Sequence, residues 1–363
     1  MIPKTIAEAD TAWLSDVLGA SVSHIEANQI GQGVGIMGDI YRLKLRYASD
    51  ASGKPSSVVL KLPSSFEENR AQGVALGMFE AEVRFYNELA DRASVGIPEV
   101  YLAEIISGQA DFVIVMEDLT AATLVSQTAG MNPKQAAAAV RVLASIHATW
   151  WDAVQVDELA WIPTMDGPRI EFVDQYLPTL MSAFADGFGA GLPKGGLEIF
   201  ETFVGNYLKI NKVLADRSPW TLVHQDFRVE NLLFDETDSS KVSVIDWQGI
   251  GRGPGAYDLA YLLGGSMAIE DRRCNENELL AIYHQRLVDE GVGGSGAAGM
   301  SLEQCKEDYA LAQLMGGLAT SILLGGAMDL SNERGVALVT TMAGRHAQAA
   351  LDHDGLALMR AIF

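Results

Sequence analysis

A chain of 363 residues, 48% of them apolar, is long enough for two packed domains or one large one and can build its core without a disulfide or structural metal. Its 47 acids against 26 bases leave a net charge of −21, which excludes a general nucleic-acid binder, because neutralising a phosphate backbone takes a basic face that this composition does not supply. An enzyme of nucleotides can still be acidic overall, since its phosphates need only a local lysine, metal ions and backbone donors.

In chain order, Thr5-x-x-Glu8 reads as a capping box opening a helix, and no apolar run of signal-peptide length stands near the start. SVSHIEANQI alternates poorly, whereas IYRLKLRY (40–47) places Tyr41, Leu43, Leu45 and Tyr47 on one side and Arg42, Lys44 and Arg46 on the other, as a half-exposed strand does. The turn-forming SDASGKPSS leads into a second strand, SVVLKLP (57–63), so the pair predicts an antiparallel hairpin. FEAEVRFYNELA (79–90) has helical spacing, and EVYLAEII and DFVIVMEDL are two further strands. The order makes a small, mainly antiparallel sheet with one helix on it.

From about residue 120 the texture turns helical, at 133–152, 201–216, 276–290 and 334–353, with TLV, LLF and VSVIDW as the extended pieces. GVGGSGAAG (291–299) reads as a flexible connection. Between Asp308 and Asp329 twenty residues carry no charge, but four glycines, Gln313, Thr320 and Ser321 interrupt them, and acids flank them, so a buried helix is expected rather than a membrane span. A β-rich part, 1–117, and a helical part, 118–363, predict an α+β fold of two lobes with a cleft between them. Cys274 and Cys305 have neither a metal-ligand spacing nor a disulfide framework, which fits a reducing, cytoplasmic setting.

Three groups of residues could carry chemistry. Gly33, Gly35 and Gly38 satisfy G-x-G-x-x-G but run into a strand rather than opening a helix, which disfavours a dinucleotide-binding turn. A glycine-rich hairpin over nucleotide phosphates and a plain tight turn both remain open. Lys61, in the middle of an apolar strand, must find an anion or snorkel to solvent; Glu82 and Glu80 on the following helix are its candidate partners. In LVHQDFRVENLLFD (222–235), Asp226 and Asn231 lie five apart on a loop held by short extended segments, and Asp246 follows at the end of VSVIDW. Two carboxylates and a carboxamide so placed can supply oxygen ligands for Mg²⁺ and a carboxylate to accept a proton from an attacking hydroxyl.

HQDFRVEN matches the kinase catalytic-loop pattern H-x-D-x-x-x-x-N, and IDWQGIGRGPGAYDLAYLL (245–263) resembles the aminoglycoside phosphotransferase and choline-kinase-like branch. FEAEVRFYNEL, VMEDL and LASIHATWW resemble its ecdysteroid-kinase-like members in particular. The resemblance spans about residues 25 to 350 with the motifs in order. It implies a bilobal protein-kinase-like fold, with a small antiparallel sheet and one helix in the N-lobe and a larger, mainly helical C-lobe. It also implies that Asp226 is the catalytic base or the group that orients the hydroxyl, that Asn231 and Asp246 hold Mg²⁺, and that Lys61, held by Glu82, contacts the α- and β-phosphates of ATP. Met116 would line the adenine pocket, with backbone groups of Glu117 and Leu119 bonding the base. His224 and Asp258 would brace the loop, and His147 is left as a helix-packing histidine.

Gln225 stands where activation-loop phosphorylation would need an arginine, Trp247 replaces the phenylalanine of D-F-G, and the loop at 33–38 is richer in glycine than the branch usually shows. Eleven residues separate Asp246 from Asp258 and no A-P-E follows, which leaves no activation segment to bind a peptide. The expected acceptor is therefore a small molecule, held by segments near 161–177 and 309–329, whose apolar residues suit a lipophilic alcohol such as a steroid or hydroxyacyl compound. An aminoglycoside acceptor and a non-catalytic nucleotide-binding module are the alternatives.

Overall fold

In a computed structural model of the chain, residues 2–31, 37–49, 51–93, 95–217, 219–238, 240–294 and 298–362 are described. Gly33 and Gly35, and part of the glycine-rich 291–299 connection, lie outside them. The chain divides into two compact units, Met1–Arg92 with Ile97–Ala121 and Ile245–Gly249, and Ala93–Gly96 with Ala122–Val244 and Ile250–Phe363.

The first unit opens with α1 (Thr11–Leu18), six residues after the capping box expected at Thr5. The Glu8 carboxylate accepts from the Lys4 N–H instead, closing a turn, and Asp10 caps the helix by accepting from the Trp13 N–H. Strands β1 (Val22–Ile30), β2 (Gly38–Tyr47) and β3 (Ser57–Pro63) follow, then α2 (Glu67–Ala75), α3 (Met78–Arg84), β4 (Val100–Ile105) and β5 (Phe112–Glu117). The strands form one antiparallel sheet in the order β1-β2-β3-β5-β4.

Because side chains alternate across a strand, β3 sends Val58, Leu60 and Leu62 to one face, where they join Leu43, Leu45, Val113, Val115 and the α1 residues Leu14 and Leu18 in a buried cluster. Lys61 points to the other face. There α3 packs, its Phe79 stacked on Phe112 with ring centroids 4.7 Å apart. Phe79, Glu82 and Val83 make its inner stripe, the spacing a helix laid on a sheet requires. The helix widens into a π turn over Phe85–Leu89, a feature common near functional sites.

The second unit holds short strands and long helices. β6 (Ala122–Leu124) is followed by α4 (Pro133–Thr149), which a complete capping box between Asn132 and Gln135 starts. Next come α5 (Pro168–Phe188), α6 (Gly196–Val204), α7 (Tyr207–Ala215), β7 (Thr221–Val223), β8 (Leu232–Asp235), β9 (Val242–Val244) and β10 (Gly251–Gly253). The chain closes with α8 (Ala256–Ser266), α9 (Ile269–Asp289), α10 (Leu302–Ala312), α11 (Gly316–Gly326), α12 (Glu333–Asp352) and α13 (Gly355–Ile362). β10 pairs with β7, and β8 lies between β6 and β9, so the loop 224–231 is held at both ends by paired strands. The charge-free span is the end of α10 and the whole of α11 rather than one helix, and 72% of its apolar window is buried.

α8 and α11 approach α12 closely at glycines. A Cβ on Gly317 would stand 2.1 Å from Nδ1 of His346, so glycine there makes room for the ring. Burial, with the charges of Arg345 and Arg272, drives the His346 pKa down to about 3. The unfolded chain takes up this proton near pH 6.5 and the native state only near 3, so its contribution to stability is complete above 6.5 and is lost as pH falls toward 3. The expected result is a loss from this residue of up to about 1.4 kcal/mol per pH unit in that window. Urea unfolding of wild type and His346→Gln between about pH 7 and pH 4 checks it: equal pH slopes would dismiss the assignment.

Candidate active site

Within the first unit, Lys61 is 6% exposed and its ammonium donates to Glu82 Oε2 at 2.7 Å and to Asp246 Oδ1 at 2.8 Å. Glu80 faces elsewhere, its carboxylate accepting from the Ser107 hydroxyl at 3.0 Å. Helix phase decides between the two glutamates, because Glu82 shares the inner stripe with Phe79 and Glu80 does not. Burial works against charge on Lys61, but the carboxylates of Asp246 and Glu82 outweigh it and hold its pKa above the ordinary value. Burial, reinforced by the Asp246 charge, pushes Glu82 up to about 7 in spite of Lys61.

Asp246 sits at φ +66, a left-handed conformation that a non-glycine residue adopts at a cost of order 1 kcal/mol. Its neighbour Trp247 is fully buried and stacks face to face on Phe85, ring centroids 3.8 Å apart and 9° from parallel. The larger indole in the D-F-G phenylalanine position thus anchors the Asp246 turn on the helix that carries Glu82. Gly38 opens β2 against Lys61: a Cβ there would lie 2.9 Å from the Leu62 carbonyl and 3.4 Å from Lys61 Cε. Met116 is buried in β5 opposite Val59. The Glu117 N–H donates to the Glu99 carbonyl at 2.7 Å. Leu119 follows Asp118, whose carboxylate pairs with Arg42 at 2.9 Å, a contact across 76 residues that no local pattern announces.

Within the second unit, the loop between β7 and β8 is fastened from α8. Asp258 is fully buried and accepts from the His224 N–H at 2.6 Å and the Gln225 N–H at 2.8 Å. His147 lies 3.3 Å from Asp258 Oδ2 and 2.6 Å from the Tyr283 hydroxyl, so this histidine belongs to the loop's support rather than to helix packing alone. Gln225 adopts φ +64, which turns the chain so that Asp226 follows in a part-exposed position.

Asp226 is held on both oxygens. Oδ2 accepts from the Asn231 amide nitrogen at 2.9 Å, and Oδ1 accepts from the Tyr261 hydroxyl at 2.9 Å. Arg228 Nε stands 3.3 Å from Oδ1, and its other end pairs with Glu230 at 2.7 Å. Asn231 also donates to the Asp226 carbonyl at 2.8 Å, so its amide nitrogen faces Asp226 and its amide oxygen is the atom a cation would take. Burial, and next the Asp226 charge, push the Tyr261 hydroxyl well above the usual phenol range, so it stays a donor. Tyr261 and Arg228 are the neighbours that motif reasoning passed over.

Among the described residues, no cluster of three or more His, Cys, Asp or Glu side chains could hold a metal by itself. Mg²⁺ does not need one: it commonly takes one or two protein oxygens and completes its shell with water and substrate phosphates. Asp246 in the first unit and Asn231 in the second each carry a side-chain oxygen.

The sequence profile of the ecdysteroid kinase-like family matches residues 32–291. Solved structures of similar fold include a choline kinase from Streptococcus pneumoniae, with a TM-score of 0.55 and 14% identity over 94% of this chain and 97% of that one. An amicoumacin kinase in complex with AMP-PNP and Ca²⁺ gives 0.54 and 15%, covering 93% and 92%. The GDP complex of aminoglycoside 2'-phosphotransferase-IIIa gives 0.53 and 13%, covering 92% and 98%. At such identities the likeness is one of fold, and it shows the α+β protein-kinase-like fold expected from the motifs. A curated Arabidopsis thaliana protein named a probable acyl-CoA dehydrogenase is 26% identical over 126 residues, so the match spans 34% of this chain and 14% of that protein.

Proposed function

This chain belongs to the ecdysteroid kinase-like family, and on that premise we propose that it transfers the γ-phosphoryl group of ATP, with Mg²⁺, to a hydroxyl of a small molecule. The observation that carries the reading is Lys61: a buried ammonium held at 2.7 Å by Glu82 on the packed helix and at 2.8 Å by Asp246, which is the strand lysine, helix glutamate and aspartate set that the kinase motifs call for. In this reading residues 1–117 hold the nucleotide and 118–363 supply the catalytic loop and the acceptor site. Lys61, oriented by Glu82, meets the α- and β-phosphates, with Gly33, Gly35 and Gly38 covering them. Met116 lines the adenine site, where the Glu117 carbonyl and the Leu119 N–H meet the base edge.

Asp226 is the general base. It accepts the proton of the acceptor hydroxyl as the new O–P bond forms and the bond to ADP breaks. Asn231 and Asp246 would hold Mg²⁺, which when bound neutralises the charge on the phosphoryl oxygens. The protein's own part is orientation: Asp258 fixes the loop backbone, and Asn231 and Tyr261 fix the Asp226 carboxylate.

The acceptor site is assigned to the second unit around α5 and α11. Apolar side chains there, including Phe172 packed against Tyr176 with ring centroids 4.6 Å apart, favour a lipophilic alcohol over a polycation. The expected result of a screen is acceptor-dependent ADP release with sterol or hydroxyacyl alcohols and none with aminoglycosides. Phosphorylation of kanamycin at a comparable rate would reverse the acceptor assignment, and absence of Mg-ATP binding by calorimetry would end the kinase reading.

A further inference from the structure

Helix α8 touches the proposed catalytic loop twice, from one face. Asp258 and Tyr261 stand three residues apart, the spacing that brings two side chains side by side on a helix. The first takes the loop's backbone N–H groups at His224 and Gln225. The second reaches the carboxylate that the loop presents, its hydroxyl 2.9 Å from Asp226 Oδ1.

We propose that Tyr261 is a positioning residue that sets the orientation of the Asp226 carboxylate for phosphoryl transfer; the proposal rests on the reading of Asp226 as general base. A carboxylate's last torsion is broad and roughly two-fold, so a single donor leaves it free to swing. Three donors hold its plane, Asn231 on Oδ2, Arg228 Nε beside both oxygens and Tyr261 on Oδ1, and of these Tyr261 is the one that arrives from outside the loop. The donors differ in what else they do. Asn231 is assigned to the cation and can shift as nucleotide comes and goes, whereas Tyr261 has no other assigned task.

Tyr261 is itself well held. It is 2% exposed, and its ring lies 5° from parallel to Tyr257, centroids 6.4 Å apart. His346 also packs against it, 5.5 Å between ring centres. A phenol in such a setting cannot leave its carboxylate by a simple rotamer change.

A core tyrosine that merely satisfies its hydroxyl would look similar at rest, so the test must read orientation and not stability. Mg-ATP hydrolysis, with water in the acceptor's place, is the turnover probe. Tyr261→Phe is expected to lower kcat about 10–100-fold, the worth of one hydrogen bond to a charged group, with the Kd for Mg-ATP unchanged within about twofold. In an Asp226→Asn background the same change should cause no further loss, because the two side chains act as one unit. A crystal structure of Tyr261→Phe provides a readout without turnover: the Asp226 carboxylate is expected turned, or in more than one orientation, over an unchanged loop backbone.

A single unaltered carboxylate orientation would overturn the proposal, as would an equal loss from Tyr261→Phe with and without Asp226. Full hydrolysis by Asp226→Asn alone would overturn it by another route, removing Asp226 as the base while leaving membership of the kinase family intact.

Discussion

Asp226→Ala is expected to lower acceptor-dependent turnover by about 10²–10⁴-fold and to leave Mg-ATP affinity within a few-fold of wild type. The two effects separate because the loop does not depend on this side chain for its shape. Asp258 grips the backbone at His224 and Gln225, and Asn231 keeps its bond to the Asp226 carbonyl at 2.8 Å after the carboxylate is gone. The carboxamide assigned to the metal therefore stays in place. What is lost is the acceptor for the substrate's proton, together with the partner of Tyr261 and Arg228. Arg228 retains Glu230 at 2.7 Å, so no cation is stranded. Steady-state kinetics on an acceptor found by screening, with calorimetry for Mg-ATP, check both halves. Near-wild-type kcat would remove Asp226 from the chemistry, and a collapse of nucleotide affinity would mean that the loop's shape had been lost as well.

Much of this was legible because chemistry imposes spacing. The strand 57–63 announces itself by alternation, and its bounds agree with β3 residue for residue. Lys61 stands out because an ammonium in an apolar strand needs a counter-charge, and the structure supplies two. Choosing Glu82 over Glu80 required the phase of α3 on the sheet, which depends on Phe79 meeting Phe112 across the fold. Other elements hid for physical reasons. α2 buries only Gly73 and shows no apolar stripe, and α5 carries Pro178 in its interior, which reads as a break. Thr5 and Glu8 have capping-box spacing, yet Glu8 bonds Lys4 and the helix begins at Asp10, where a side-chain oxygen and the first apolar turn coincide. Tyr261 was visible as a letter in YDLAYLL, but its partner is 35 residues earlier, and only the packing of α8 on the loop reveals the contact.

Lys61→Met should destabilise the protein by about 3–5 kcal/mol, and by more near pH 8.5 than near pH 6.5. Methionine fills the volume, so the loss is electrostatic: two carboxylates, Glu82 and Asp246, each remain beside a site from which the positive charge has gone. Glu82 is already raised to about 7 by burial and by Asp246, with Lys61 opposing. Without Lys61 its pKa rises further, and protonation relieves part of the repulsion when protons are available. A carboxyl raised in the native state binds more protons folded than unfolded, so its stabilising effect is present at low pH and is lost as pH rises through the folded value. The variant's deficit therefore widens between about pH 6.5 and pH 8.5. Urea unfolding of wild type and Lys61→Met at both values measures it, and Glu82→Gln added to Lys61→Met should recover part of the loss at the higher pH. A deficit that is equal at both would mean that Glu82 does not carry the charge conflict. Nucleotide affinity should fall in Lys61→Met with no recovery from the second change, because the Glu82→Gln amide restores neutrality but supplies no cation for the phosphates.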